Sequence, residues 1–127
     1  MRKFIIQKLV RDKILENILS NKKNSVDFYK LDKESFLKNL KNKFLEEIEE
    51  LNFDNETEAV KELADLQLII DSCLEVLSIN EEKFKEIYDK KNTKNGKFEK
   101  KIFIKTVELD EQDEWVSYYE KKYKEVK

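Results

Sequence analysis

Two short acidic motifs carry the residues of this chain most able to do chemistry. Glu46-Glu47-Ile48-Glu49-Glu50 lies in one predicted helix, and Glu62-Leu63-Ala64-Asp65 lies in the next. At the helical period, Glu47 and Glu62 fall among apolar residues, and Glu50 and Asp65 follow them at spacing i, i+3 on the same sides. An ionised carboxylate in such a direction costs several kcal/mol unless it is compensated. The motifs therefore predict a compensating positive charge.

The composition narrows what that charge can be. The chain has no His and a single Cys, so a Lys, an Arg or a metal ion must balance the acids. Two antiparallel helices would bring Glu47, Glu50, Glu62 and Asp65 together, and two divalent cations would neutralise their four charges. Carboxylate oxygens favour Mg²⁺, with Mn²⁺ as an alternative, over zinc. The plainer interpretation, that each motif is a solvated face of a highly charged helix, is the alternative.

Composition also excludes several classes of function. Lys and Arg total 26 against 28 Asp and Glu, a net charge of −2, so we expect no nucleic-acid polymer as a partner. Without His there is no Ser-His-Asp or Cys-His catalysis. One Gly and no Pro exclude a Rossmann fingerprint and a P-loop.

The distribution of apolar residues predicts no membrane partner. Gln7-Lys8 interrupts the apolar run at residues 4–6, and no stretch approaches the roughly 18 apolar residues of a membrane span. The lone Cys73 fits a reducing compartment. We therefore expect a cytoplasmic protein.

Hydrophobic periodicity and capping residues predict a mostly helical chain. A short helix capped by Asp12 extends to Leu19, and a helix capped by Asp32 extends to about residue 52. A short turn then leads to a second long helix from about Glu56 to Ser78. A connection this short favours an antiparallel pair.

The C-terminal part of the sequence is less regular. Asn80 is predicted to cap a helix to about Asp89, followed by a basic loop over residues 90–97, whose Gly96 takes a positive φ. β-Branched and aromatic residues at 102–104 indicate a short strand after residue 97. Residues 110–127 are predicted to form an amphipathic C-terminal helix.

The predicted fold class is all-α, an antiparallel helical bundle completed by oligomerisation. The apolar faces of the two long helices exceed what one small domain can easily cover, so a homodimer or homotetramer is expected.

The acidic motifs together resemble the EExxE…ExxD signature of the all-α nucleoside triphosphate pyrophosphohydrolases, a superfamily that includes MazG-like and phosphoribosyl-ATP pyrophosphohydrolase-like proteins. The opening at residues 8–14 (KLVRDKI) is similar to one subgroup, as is the late Gly96-Lys97-Phe98 with the apolar residues 102–104. Leu15 stands where the subgroup usually has Pro. The resemblance covers about residues 8–104, and it implies a pyrophosphohydrolase domain over 1–109 with 110–127 as a helical extension of it.

The resemblance implies a reaction and roles for residues. A nucleoside triphosphate would be cleaved between its α- and β-phosphates, giving a nucleoside monophosphate and pyrophosphate. Glu47, Glu50, Glu62 and Asp65 would hold Mg²⁺, and either Glu46 or Glu50 would orient or deprotonate the attacking water. The cationic residues expected to bind phosphate are Lys8, Arg11, Lys13, Lys94 and Lys97.

Three functions stay open at this point. A nucleotide house-cleaning role is preferred, phosphoribosyl-ATP hydrolysis in histidine synthesis is a variant of the same chemistry, and a non-catalytic helical interaction module is the alternative from another class.

Overall fold

The computed structural model describes all 127 residues, and it contains five α-helices and no β-strand. The all-helical class expected from the sequence is therefore confirmed. In chain order the helices are α1 (Asp12–Leu19), α2 (Lys33–Glu50), α3 (Glu56–Val76), α4 (Glu81–Asn95) and α5 (Val116–Lys122). None of them is long and apolar enough to pass through a lipid bilayer.

The chain divides into two compact units, Met1–Tyr88 and Asp89–Lys127. The first unit contains α1, α2, α3 and the start of α4. The second contains the rest of α4, an irregular segment and α5.

Side-chain caps define where the two long helices begin. The Asp32 carboxylate accepts a hydrogen bond from the Ser35 backbone N–H at 2.8 Å, as predicted, and the Asn55 side chain accepts one from Glu58 at 3.2 Å. Residues 51–55 connect α2 to α3, and the two helices pack against each other. A connection of this length between packed helices makes the pair antiparallel.

The apolar core of this pair is small. Leu40 of α2 and Ala59 and Ile69 of α3 are the buried apolar residues. Large apolar side chains on the same helices stay exposed, among them Ile48 and Leu63, at 44% and 46%. At the helical period each of these two lies about 100° around its helix from the acid that precedes it, Glu47 or Glu62.

The start of α1 differs from expectation. The helix begins at Asp12, and Arg11 occupies the N-cap position without a side-chain cap hydrogen bond. The prediction that Asp12 caps the helix was wrong by one position. Within the first turn, the Asp12 charge still interacts favourably with the helix dipole.

The predicted basic loop over residues 90–97 was also wrong, because α4 continues to Asn95. Asn80 caps it as expected, accepting from the Lys83 N–H at 2.8 Å. No Gly or Pro precedes Gly96, and Lys is a good helix former, so nothing interrupts the helix earlier. Gly96 then ends it at φ +77°, with its N–H donated to the Asn92 carbonyl at 2.8 Å.

The strand expected at residues 102–104 is absent. Ile102, Phe103 and Ile104 are irregular and 73%, 88% and 71% exposed, and β-propensity without a partner strand leaves the backbone unpaired. The C-terminal helix is shorter than the expected 110–127. Asp110 and Asp113 side chains accept backbone N–H bonds two residues on, which favours turns up to Trp115, and α5 follows.

The Asp32 cap gives a first test of this fold. Asp32→Ala should lower the free energy of unfolding by about 1 kcal/mol, because the Ser35 N–H loses its acceptor. Urea unfolding followed by circular dichroism measures the change. Asp32→Asn keeps an acceptor oxygen and should stay within a few tenths of a kcal/mol of the wild type. Equal losses in both variants would contradict the cap assignment.

Candidate functional site

Three of the four predicted acids come together between α2 and α3. One carboxylate oxygen each from Glu47, Glu62 and Asp65 lies within 4.8 Å of the others. Glu47 comes from the last turn of α2, and Glu62 and Asp65 from successive turns of α3. The antiparallel packing of the two helices is what makes the two motifs meet.

Burial separates this cluster from an ordinary acidic surface. Glu47 is only 9% exposed, and Glu62 and Asp65 are partly buried. The Glu62 Oε2 atom is inaccessible to solvent and has no hydrogen-bond partner. Buried oxygens are normally hydrogen-bonded, so this atom lacks the partner that its environment requires. These placements confirm that Glu47 points in a core direction.

The cluster strongly perturbs one titration. Hydrogen bonding to Glu62, burial, and the charges of Glu62 and Asp65 raise the pKa of Glu47 to about 7. The Lys43 ammonium acts in the opposite direction, from 3.9 Å, but does not overcome them. Without a cation among the oxygens, Glu47 holds a proton at pH values where an ordinary glutamate is ionised.

Glu50, the fourth predicted ligand, is not part of this cluster. It is exposed at the C-terminal end of α2, and it forms no hydrogen bond or ion pair. Its charge nevertheless acts on Lys8, because it contributes to raising the pKa of that side chain.

Lys8 brings a positive charge to the acidic motif of α2. Its ammonium lies 2.6 Å from the Glu46 carboxylate. This hydrogen bond raises the pKa of Lys8 and lowers the pKa of Glu46. The preceding Gln7 has φ of +50°, a left-handed conformation that is uncommon for a residue other than glycine. Glu46, one of the two predicted bases, is therefore held ionised by a lysine.

Arg11 brings a positive charge to the acidic motif of α3. Its guanidinium nitrogen lies 3.4 Å from Asp65 Oδ1, and both side chains are partly exposed. An ion pair of this exposure contributes about 0–1 kcal/mol. Lys8 and Arg11 together place the segment before α1 beside both acidic motifs.

The other predicted phosphate-binding lysines are placed differently. Lys13 is exposed in α1. Lys94, in the last turn of α4, and Lys97 belong to the second compact unit.

One residue near the acids was missed from the sequence. Lys43 lies 3.8 Å from Glu46 and 3.9 Å from Glu47. Its spacing of i, i+3 and i, i+4 to these acids was a readable signal, because such residues are neighbours on a helix.

The donor set fits a hard divalent cation. Mg²⁺ binds oxygens at about 2.0–2.1 Å, so its ligands stand about 3 Å apart in cis and about 4 Å in trans. Oxygens within 4.8 Å of one another would have to move closer together to reach that spacing. The unpartnered Oε2 of Glu62 and the raised pKa of Glu47 are what an uncompensated anionic site produces.

Comparison with known proteins adds no relative. No family model, no curated protein and no solved structure matched the chain. The resemblance to the all-α pyrophosphohydrolases therefore rests on the motifs themselves.

The raised pKa of Glu47 predicts that the stability of the fold depends on pH when a chelator keeps the protein free of metal ions. Because the folded state binds an extra proton up to about pH 7, stability from this group is present at low pH and is lost as pH rises from about 4.5 to 7. Glu47→Gln stays neutral and should escape the loss. Its melting temperature should therefore exceed that of the wild type at about pH 8 by more than at about pH 5.

The matched control is Glu49→Gln, which removes an exposed carboxylate from the same helix. It should track the wild type at both pH values. A Glu47→Gln offset that does not change with pH would show that Glu47 is ionised throughout.

Proposed function

We propose that the protein is a Mg²⁺-dependent nucleoside triphosphate pyrophosphohydrolase that releases a nucleoside monophosphate and pyrophosphate. The observation that carries the proposal is the cluster of Glu47, Glu62 and Asp65 between two helices, with a buried oxygen that lacks a partner. The spacing of the acidic motifs, which resembles that superfamily, supplies the choice of reaction.

The charges around the cluster favour one ion rather than the two that the bare motifs suggested. Five carboxylates, those of the cluster together with Glu46 and Glu50, face three cationic groups, Lys8, Arg11 and Lys43. Two formal negative charges are left over, which one divalent cation balances. Mn²⁺ is the expected substitute for Mg²⁺, because it accepts the same oxygen ligands.

Bound at these oxygens, Mg²⁺ supplies charge neutralisation for the triphosphate and activation of water. Glu47 must lose its proton to serve as a ligand, so ion binding and the raised pKa oppose each other. Glu62 and Asp65 complete the protein's share of the donor set.

Of the two candidate bases, Glu50 suits the role better. Glu46 is committed to Lys8 at 2.6 Å, and its lowered pKa makes it a weaker proton acceptor. Glu50 is exposed and engaged by no hydrogen bond or ion pair. We therefore assign proton abstraction from the attacking water to Glu50 and positioning of Lys8 to Glu46.

Lys8 and Arg11 are the cations we assign to the phosphate tail, because they already lie at the acidic motifs. Arg11 can donate two parallel hydrogen bonds to phosphate oxygens, which a lysine cannot. Lys13, Lys94 and Lys97 stay candidates from the sequence. A house-cleaning role, in which non-standard nucleotides are removed, is the biological setting we favour.

A homodimer is the assembly we propose. Ile48 of α2 and Leu63 of α3 are large apolar side chains that stay exposed, at 44% and 46%. Burial of these side chains against those of a second copy would form a four-helix core.

Pyrophosphate release from a panel of nucleoside triphosphates, with phosphoribosyl-ATP included, tests the reaction. Wild-type protein with Mg²⁺ should release pyrophosphate, and Glu47→Gln should lose about 10²–10³-fold in kcat if its oxygen holds the ion that offsets transition-state charge. Glu49→Gln should keep activity close to the wild type. Equal rates in the wild type and Glu47→Gln would contradict the assignment.

The melting temperature with and without Mg²⁺ separates binding from catalysis. Saturating Mg²⁺ should raise the melting temperature of the wild type, because binding to the folded state adds about 2.7 kcal/mol to the free energy of unfolding at a hundred times Kd. The melting temperature of Glu47→Gln should rise far less. No stabilisation together with no hydrolysis would favour the non-catalytic interaction module.

The dimer is tested by light scattering after size exclusion. The wild type should show twice the chain mass of 15.4 kDa, and Leu63→Glu should shift it to the monomer by placing a charge in the apolar face. Lys61→Glu, on the same helix about 160° away, is the control and should leave the mass unchanged. A monomeric wild type would refute the assembly.

A further inference from the structure

Positive charge is concentrated in one short stretch of this acidic chain. Residues 90–105, the lysine-rich segment, hold seven lysines and one acidic residue, Glu99, which gives the segment a formal charge of +6. The whole chain has a formal charge of −2, so the remaining residues carry −8 between them. The segment comprises the last turns of α4 and the irregular chain after it, and all of it belongs to the second compact unit.

The lysines of this segment have few partners within the chain. Six of them are exposed and form no ion pair, namely Lys91, Lys94, Lys97, Lys100, Lys101 and Lys105. Unpaired like charges repel one another, and a polyanionic partner would relieve that repulsion. The segment is therefore complementary in charge to an external anionic surface.

Large apolar side chains are interleaved with these lysines. Phe98 is 96% exposed, Ile102 73%, Phe103 88% and Ile104 71%. The backbone of residues 102–104 is irregular and pairs with no strand. Exposed clusters of large apolar side chains commonly mark a surface that binds a partner or a membrane. The partner of this segment must therefore offer both negative charge and an apolar environment.

The two isoleucines distinguish between the possible polyanions. Single-stranded nucleic acids are bound by aromatic rings that stack on the bases, and Ile102 and Ile104 have no π face. The segment also lacks Arg, the residue that best donates two hydrogen bonds to one phosphate. An anionic bilayer presents charged headgroups above hydrocarbon, so it accommodates lysines and aliphatic side chains together.

A second copy of this chain fits the segment less well. The acids between α2 and α3 are already opposed by Lys8, Arg11 and Lys43. They leave too little negative charge to balance a segment of +6. A bilayer surface has no such limit, because its anionic headgroups are continuous.

We propose that residues 90–105 bind the surface of an anionic lipid bilayer, with the lysines at the headgroups and Phe98, Ile102, Phe103 and Ile104 inserted at the edge of the hydrocarbon. The lack of an apolar span in the sequence argued against a membrane partner. Binding at the surface, however, needs only basic residues with apolar side chains between them. The proposal does not depend on the pyrophosphohydrolase assignment.

Co-sedimentation of the full-length protein with sucrose-loaded vesicles tests the proposal. One set of vesicles is pure phosphatidylcholine, and the other contains phosphatidylserine as well. EDTA is present throughout, so that no divalent ion links the protein to lipid. The protein should sediment with the phosphatidylserine vesicles only, and less of it should do so as ionic strength rises. Equal binding to both vesicles, or binding to neither, would refute the proposal.

A charge-matched pair of variants locates the binding surface. Lys100→Gln combined with Lys101→Gln should weaken binding to phosphatidylserine vesicles about 25-fold, since each lysine near the surface contributes about fivefold. Lys38→Gln combined with Lys41→Gln removes the same charge from exposed positions of α2 and should leave binding within about twofold of the wild type. Equal losses in the two variants would indicate a response to net charge and contradict the assignment.

The apolar residues are tested by a conservative comparison. Phe98→Ser combined with Phe103→Ser should weaken vesicle binding about tenfold or more, whereas leucine at both positions keeps apolar side chains and should bind within about threefold of the wild type. The melting temperatures should match the wild type, because both side chains are exposed.

Two further measurements cover the other partners. Labelled single-stranded poly(U) is titrated with the wild type and with the leucine variant, and fluorescence anisotropy is recorded. Tighter binding to poly(U) than to the vesicles, lost with leucine, would show stacking on bases and overturn the proposal. Size exclusion with light scattering is run on the serine variant. A change in its mass, with vesicle binding unaltered, would identify a second copy as the partner and also overturn the proposal.

Discussion

The structure depends on how like charges are accommodated between α2 and α3. Two helices pack closely there, yet carboxylates of Glu47, Glu62 and Asp65 meet within 4.8 Å in the packed region. The fully buried apolar residues of the pair are few, namely Leu40, Ala59 and Ile69. A proton on Glu47 relieves the repulsion when no cation is bound, and a divalent ion would relieve it more completely. Packing and chemistry are therefore coupled at one place.

Helical periodicity was sufficient to predict that place. Glu47 falls in the apolar arc of its helix, the short turn at residues 51–55 requires an antiparallel pair, and the structure places the three acids accordingly. Glu50 is the exception. At i, i+3 from Glu47 it is rotated by about 60° around α2, and its side chain is exposed.

The C-terminal part was harder to predict because its structure depends on contacts that a sequence does not display. β-Branched residues at 102–104 favour a strand only if another strand is present to pair with them, and none is. The lysine-rich stretch after Asp89 looked like a loop from its charge, but helix propensity decided its conformation up to Gly96. The ion pairs of Lys8 and Arg11 span long sequence separations, so only the fold could bring them to Glu46 and Asp65.

Under the proposed function, the attachment of the N-terminal segment would affect how a nucleotide enters. Lys8 and Arg11 each bind one acidic residue, through groups that also attract phosphate. An incoming polyphosphate would compete with Glu46 and Asp65 for the same two cations. Exchange of partners would loosen residues 8–11 from α2 and α3 while freeing the Asp65 carboxylate for an ion. The segment would act as an electrostatic latch, sensitive to ionic strength, whose release is coupled to loading of the site.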